Sequence, residues 1–167
     1  VDHVISSMPD NAFLAMMTTI NILSLSTIDL LLEDVIDLRK KYFKSYSKNN
    51  ILLSINYLRY PQFLNMQLAP DNLKKEVSNK LKALIEKYND GVYHLEGHYA
   101  TLYRDECEKL TMICNLLENS VSNKEVDLID FYKFIEEYDR RKGTDFNSTF
   151  PELIEFKNYC KDKIDNE

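Results

Sequence analysis

Residues 13–24 read Phe-Leu-Ala-Met-Met-Thr-Thr-Ile-Asn-Ile-Leu-Ser, and residues 51–58 read Ile-Leu-Leu-Ser-Ile-Asn-Tyr-Leu. Both runs are apolar, rich in β-branched residues and short. The first follows a turn-former, Pro9-Asp10-Asn11, and the second ends at Arg59-Tyr60-Pro61. Such runs predict strands, and their apolarity predicts burial on both faces. Between them Ile28, Leu31, Leu32, Val35, Ile36 and Tyr42 recur at helical spacing. Ser26, with Asp29 three residues later, predicts a capped start for this helix, which ends in the polar stretch Lys44–Asn50. Strand, helix, strand is the pattern of a parallel crossover unit.

The rest of the chain predicts helices. Pro70-Asp71 opens one with Leu73, Val77, Leu81, Leu84, Ile85 and Tyr88 on a single stripe, closing at Asn89-Asp90-Gly91. A second, over 99–119, carries Leu102, Leu110, Ile113, Leu116 and Leu117, and a third, over 126–141, carries Leu128, Ile129, Tyr132, Ile135 and Tyr138 and stops before Gly143. The last starts at a capping box, Thr149-Phe-Pro-Glu152, and buries Leu153, Phe156 and Cys160. The fold class is therefore α/β: two parallel strands of a partial (β/α) barrel followed by a mainly helical C-terminal half. Residues 1–68 form the strand–helix portion and 69–167 the helical region packed on it, as one structural unit.

Composition limits the function classes. The chain has 167 residues with 44% hydrophobic and 29% charged side chains, which fits a single globular domain. Its net charge of −6 argues against nucleic-acid binding. No apolar run has membrane-spanning length, and no signal peptide opens the chain. With only 3 Gly there is no glycine-rich phosphate loop, and 3 widely spaced Cys fit reduced thiols in a cytoplasmic protein. Two parallel strands make a marginal sheet with exposed edges. Either a second chain pairs with that edge or the neighbouring strands are missing; the start at Val1 rather than Met favours the latter.

Candidate site residues follow from strand periodicity. Thr19 and Asn21 share one face of the first strand, and Ser54 and Asn56 one face of the second. Met16, Ile20, Ile22, Ile51, Leu53 and Ile55 fall on the opposite face, which helices should cover. The polar set then faces a ligand near the strand C-terminal ends, or its members hydrogen-bond one another or water. Arg59 can meet a ligand carboxylate or phosphate, or clamp a neighbouring loop. His94-x-x-x-His98 lacks the glutamate and the third ligand of a zinc site, and Cys107 and Cys114 read as core residues, so no metal site is expected. The charge-dense stretch Asp139–Leu153 reads as a helix–helix connection or as a ligand or partner contact. No nucleophile–base set emerges.

In order and spacing these stretches resemble one family. The first strand with Thr-Thr-Ile-Asn-Ile-Leu-Ser-Leu-Ser, the helix closing on Asp37-Leu-Arg-Lys-Lys-Tyr-Phe43, the second strand, Leu58-Arg-Tyr-Pro-Gln-Phe-Leu-Asn-Met-Gln-Leu-Ala-Pro70, and Asp139-Arg140…Phe150-Pro-Glu-Leu153 are similar to the C-terminal portion of radical S-adenosylmethionine proteins of the twitch-domain type, over roughly residues 13–160. The resemblance implies a partial α/β barrel in which a four-iron four-sulfur cluster, held by a Cys-x-x-x-Cys-x-x-Cys motif, cleaves S-adenosylmethionine reductively. This chain lacks that motif, so the cofactor and cluster are expected in a parent protein and neither in this chain alone. Thr19, Asn21, Ser54, Asn56 and Arg59 are the positions that would contact cofactor or substrate. The expected partner is the missing N-terminal half of the barrel, or a second chain. The rival expectation is a non-enzymatic interaction domain; its 11 Tyr would suit an interface.

Overall fold

The computed structural model describes residues 2–9, 12–42, 51–89, 101–119 and 124–165. A short opening helix α1 (Asp2–Ser6) precedes β1 (Leu14–Ile20), and α2 (Ile28–Lys41) separates it from β2 (Ile51–Tyr57). The two strands pair in parallel, Leu14 against Ile51 through Ile20 against Tyr57. There follow α3 (Asp71–Tyr88), α4 (Arg104–Glu118), α5 (Glu125–Lys142), the single turn α6 (Phe146–Thr149) and α7 (Ile154–Asp165). The described residues thus form a mixed α/β structure, mostly helical, with seven α-helices and one two-stranded parallel sheet. None of these helices is long and apolar enough to cross a membrane.

The sheet is covered on one face only. Ile51, Leu53 and Ile55 of β2 are buried, and Ile20 of β1 is completely so, while Ala15, Met17 and Thr19 in β1 and Leu52, Ser54 and Asn56 in β2 are exposed. This corrects the expectation of strands buried on both faces. The helices gather on the Ile51–Leu53–Ile55 side, so the alternation is that of a half-covered sheet. The division of side chains between the faces is the expected one.

One continuous core joins the two halves, running from Ile20, Leu32 and Ile36 through Val77, Leu81, Leu110 and Ile113 to Phe131, Leu153 and Cys160. α3 packs along α4, where the Ser78 hydroxyl donates to Glu118 Oε1 at 2.6 Å and the Lys82 ammonium pairs with the same carboxylate. α5 packs on α7 through rings: Phe131 lies 5.4 Å from Phe156 and 6.1 Å, edge-on, from Phe146. Phe131 is completely buried although the sequence stripe passed over it for Tyr132 and Tyr138, and Tyr138 is 48% exposed. The stripe is centred on Leu128, Phe131 and Ile135, and the tyrosines flank it.

Helix starts are where local reading fails. α2 begins after a 3₁₀ turn, Leu25–Thr27, and Ser26 does not cap it; its hydroxyl donates to Glu152 Oε1 at 2.5 Å. The Thr149 capping box does not form either. Thr149 Oγ1 donates to the Asp145 carbonyl at 2.9 Å, closing α6, and α7 starts at Ile154 after a 3₁₀ turn over Pro151–Leu153. In both places a tertiary or local partner outcompetes the cap. α4 starts at Arg104 rather than near 99, because Leu102 is held in an isolated bridge to Asn89. The expected ends at Lys44–Asn50 and Asp90-Gly91, and the His94 and His98 pair, lie outside the described residues.

The Asp139–Leu153 stretch is a stapled connection. Gly143 adopts φ +65° and its N–H donates to the Asp139 carbonyl at 2.8 Å, while the Asp139 carboxylate accepts from Thr144 Oγ1 at 2.7 Å and from the Phe146 N–H at 2.8 Å. Nothing lies within 4 Å of a Cβ added at Gly143, so only backbone strain opposes a side chain there. Gly143→Ala is expected to lower stability by about 1 kcal/mol, the penalty of a left-handed alanine, measurable by urea denaturation. Burial pushes the Cys160 thiol from its ordinary 9.0 up to about 12. The native state then holds a proton that the unfolded chain releases above pH 9, so this contribution to stability is lost as pH rises from 9 towards 12. Cys160→Ala should show a shallower alkaline fall in urea midpoint than the parent chain.

Candidate functional site

The C-terminal ends of both strands run into one group of loops. The Leu58 N–H donates to the Ile20 carbonyl at 2.8 Å, and the Ile22 N–H donates to the Leu64 carbonyl at 3.0 Å. The Leu58–Pro70 segment is anchored to α5 by Phe63, 5.3 Å from Phe134. Ser26 reaches Glu152 from the other side. The stretches following β1 and β2 and the Phe150–Leu153 stretch therefore meet beyond the strand ends, where α/β sheets bind ligands.

Three of the five expected site residues come together. Thr19 lies directly across from Asn56 in the register, and the Asn56 amide donates to Ser54 Oγ at 3.5 Å, all on the open sheet face. Asn21 is drawn away from them. Past the end of β1 its Oδ1 accepts from the N–H groups of Leu23, at 2.9 Å, and Ser24, at 3.3 Å, folding the chain into a turn. Arg59 also lies apart: it is exposed, with its guanidinium 5.1 Å from the ring centre of Tyr57. Periodicity was a sound guide within the strands and failed one or two residues past them, where the period of two no longer holds.

Beside Ser54 and Asn56 the sheet and the first turns of α4 enclose a cleft of about 340 Å³, with Tyr103, Asp105 and Lys109 on its helical wall. The floor of that wall is a buried ion pair. Arg39, on α2, and Glu106, on α4, are 0% and 2% exposed. The pairing is bidentate: Nη2 donates to Oε1 at 2.6 Å and Nη1 to Oε2 at 2.9 Å. Arg39 Nη1 also donates to the Thr101 carbonyl at 2.8 Å and Nε to the Ile51 carbonyl at 3.1 Å, while the guanidinium lies 4.2 Å from the Tyr103 ring centre. Glu106 Oε2 accepts from the Tyr103 N–H at 2.9 Å, capping α4, and Oε1 from the Leu53 N–H at 3.3 Å. Burial, with the nearby Glu106 and Asp105 charges, holds the Tyr103 phenol above its ordinary pKa against the opposing pull of Arg39.

Sequence reasoning passed over this pair. The signal was present: Arg39 continues the stripe Ile28, Leu32, Val35, Ile36, and Glu106 precedes Leu110, Ile113 and Leu117 on theirs. A charge on each of two apolar stripes is what a buried pair looks like in a sequence.

The open face offers hydroxyl and amide groups, which are suited to hydrogen-bonding a ligand, and among the described residues it carries no nucleophile with an adjacent base. Among the described residues no three His, Cys, Asp or Glu are grouped to hold a metal ion. Cys107, Cys114 and Cys160 are buried free thiols in separate core positions, Cys107 and Cys114 directed at the carbonyls of Leu102 and Ser78. They do not fit the ligand set of an iron–sulfur cluster. Comparison with family models, with curated proteins and with solved structures gives no match. Arg39→Met, which leaves the Glu106 carboxylate buried without its cation, is expected to cost about 3–5 kcal/mol, read as a fall in urea midpoint with an unchanged slope.

Proposed function

We propose that this chain is the C-terminal segment of a radical S-adenosylmethionine enzyme-like protein, in which it completes a partial α/β barrel and shapes the substrate pocket without being catalytic by itself. The observation that carries this reading is the one-sided sheet. β2 is flanked by α4 and the Arg39–Glu106 pair, whereas among the described residues β1 pairs with no strand but β2. A barrel built from preceding strands would join at β1 and end at β2. Its interior would then receive the open face with Thr19, Ser54 and Asn56, whose role is to bind and orient cofactor or substrate. Met17, 79% exposed, and Leu52, 40% exposed, would be covered in the same step. The cluster and its cysteines belong to the preceding part of the protein, as does the S-adenosylmethionine chemistry that the cluster starts. A cytoplasmic location belongs to the same reading.

A second reading has its own support. Met17, Leu52 and the 64% exposed Phe13 are large apolar side chains on or beside a sheet whose β1 edge has no strand partner among the described residues, which suits a non-enzymatic interaction domain acting as a dimer or with a protein partner.

The coding frame upstream of Val1 separates the two. The expected result is an open frame with further strands and a Cys-x-x-x-Cys-x-x-Cys motif. A stop codon immediately upstream would overturn the radical-enzyme reading, and a concentration-independent dimer by light scattering would then establish the second. In the complete protein, Thr19→Ala and Asn56→Ala should each weaken ligand binding about 3- to 10-fold, the worth of one neutral hydrogen bond. The melting temperature of this chain by itself should not change, since both side chains are exposed in it.

A further inference from the structure

We infer that the Arg39–Glu106 pair takes the place of a neighbouring strand and ends the sheet at β2. In a parallel ladder one residue of the incoming strand donates its N–H to the carbonyl of residue i−1 and accepts at its own carbonyl from the N–H of residue i+1. On the outer edge of β2, with Leu52 as residue i, those two groups are the Ile51 carbonyl and the Leu53 N–H. Arg39 Nε donates to the first at 3.1 Å and Glu106 Oε1 accepts from the second at 3.3 Å. The donor and the acceptor are held together by the 2.6 Å ion pair, as the two polar groups of a single strand residue are held together by its backbone. The alternation agrees: the Leu58 N–H bonds across to Ile20, which puts the even-numbered residues of β2 towards β1 and the odd-numbered ones towards α4.

The consequence is directional. A strand adding at β2 would have to displace a completely buried, bidentate pair that also caps α4 and holds the Thr101 carbonyl. Extension is therefore confined to β1, where strand alternation turns the backbone groups of Ala15, Met17 and Thr19 away from β2. This inference rests on the ladder geometry and stands whether or not the radical-enzyme reading holds.

The test compares Glu106→Gln with Glu106→Leu and with the apolar pair Arg39→Met/Glu106→Leu. It follows urea stability and amide hydrogen exchange, with the amides of Ser54 and Asn56 as internal references on the β1 side. The double variant also loses the bonds to the Tyr103 N–H and the Thr101 carbonyl, so its stability reports the whole pair and the Leu53 amide reports the edge. If the pair replaces a strand, the Leu53 amide of the double variant exchanges roughly 10- to 100-fold faster while Ser54 and Asn56 keep their protection. Glu106→Gln retains an acceptor oxygen and should keep Leu53 slow even though the charge is gone, whereas Glu106→Leu should not. A Leu53 amide that stays slow in the double variant, or one equally slow in the Gln and Leu variants, overturns the inference. Should the double variant not fold, the Gln-against-Leu comparison at Leu53 decides.

Discussion

A bidentate ion pair with both partners out of water is the constraint on which this structure turns. Arg39 arrives from α2, Glu106 from α4, and between them they hold the second strand, the first turn of α4 and the chain at Thr101. Isolating two charges in the core is costly unless every remaining polar atom finds a partner. Here four of the five guanidinium N–H groups donate, two to backbone carbonyls and two to the carboxylate, and both carboxylate oxygens accept twice. Among the described residues no buried side-chain nitrogen or oxygen lacks a partner. The pair therefore adds geometric demand more than net energy. α2 and α4 can sit against β2 in one register only, since a shift of one residue would break several charge-assisted bonds at once.

That demand explains how so small a sheet persists. Two parallel strands bury little by themselves. β2 is supported on its face by the Ile51–Leu53–Ile55 stripe against helices and on its edge by side chains doing a strand's hydrogen bonding. Among the described residues β1 has only the first kind of support, through Ile20 and its partly buried neighbours Leu14 and Met16. The C-terminal helices add stability at a distance, through the Phe131 ring cluster and the contact of Phe63 with Phe134. Phe63 belongs to the segment leaving β2, so the α5–α7 layer also fixes the loops beyond the strand ends.

How much of this was legible in the sequence depended on the range of the interaction involved. Strands, long helices and the division of strand side chains between two faces follow from periodicity, which is set by the backbone alone. Burial on both faces did not follow, because it depends on how many layers the chain supplies, and an apolar run reads alike in a one-sided and a two-sided sheet. Ser26 and Thr149 carried valid capping signals, yet Ser26 bonds Glu152, 126 residues away, and Thr149 bonds back to Asp145. Asn21 illustrates the same competition: an asparagine at a strand end makes its own turn more readily than it continues the strand's alternation. Arg39 and Glu106 were readable as charges on apolar stripes, but that each answers the other is a fact of tertiary packing.

The placement of reactivity bears on what such a domain can do. Its thiols are buried, two of them directed at backbone carbonyls, with burial pushing all three above their ordinary pKa. Its most tightly held charges are spent on architecture. On the open face of the sheet itself stands a set of neutral hydrogen-bonding groups, Thr19, Ser54 and Asn56, with Asp105 and Lys109 on the opposite wall of the cleft; among the described residues the far edge of the sheet is covered and the near edge is not. Neutral groups on a rigid strand orient a ligand without competing for its protons or its charge. That is the behaviour a pocket wall needs when the reacting centre is supplied by another part of the polypeptide. Under the proposed reading a fixed far edge matters for the same reason, because a wall extended at β1 would keep its geometry only if β2 could not shift in response.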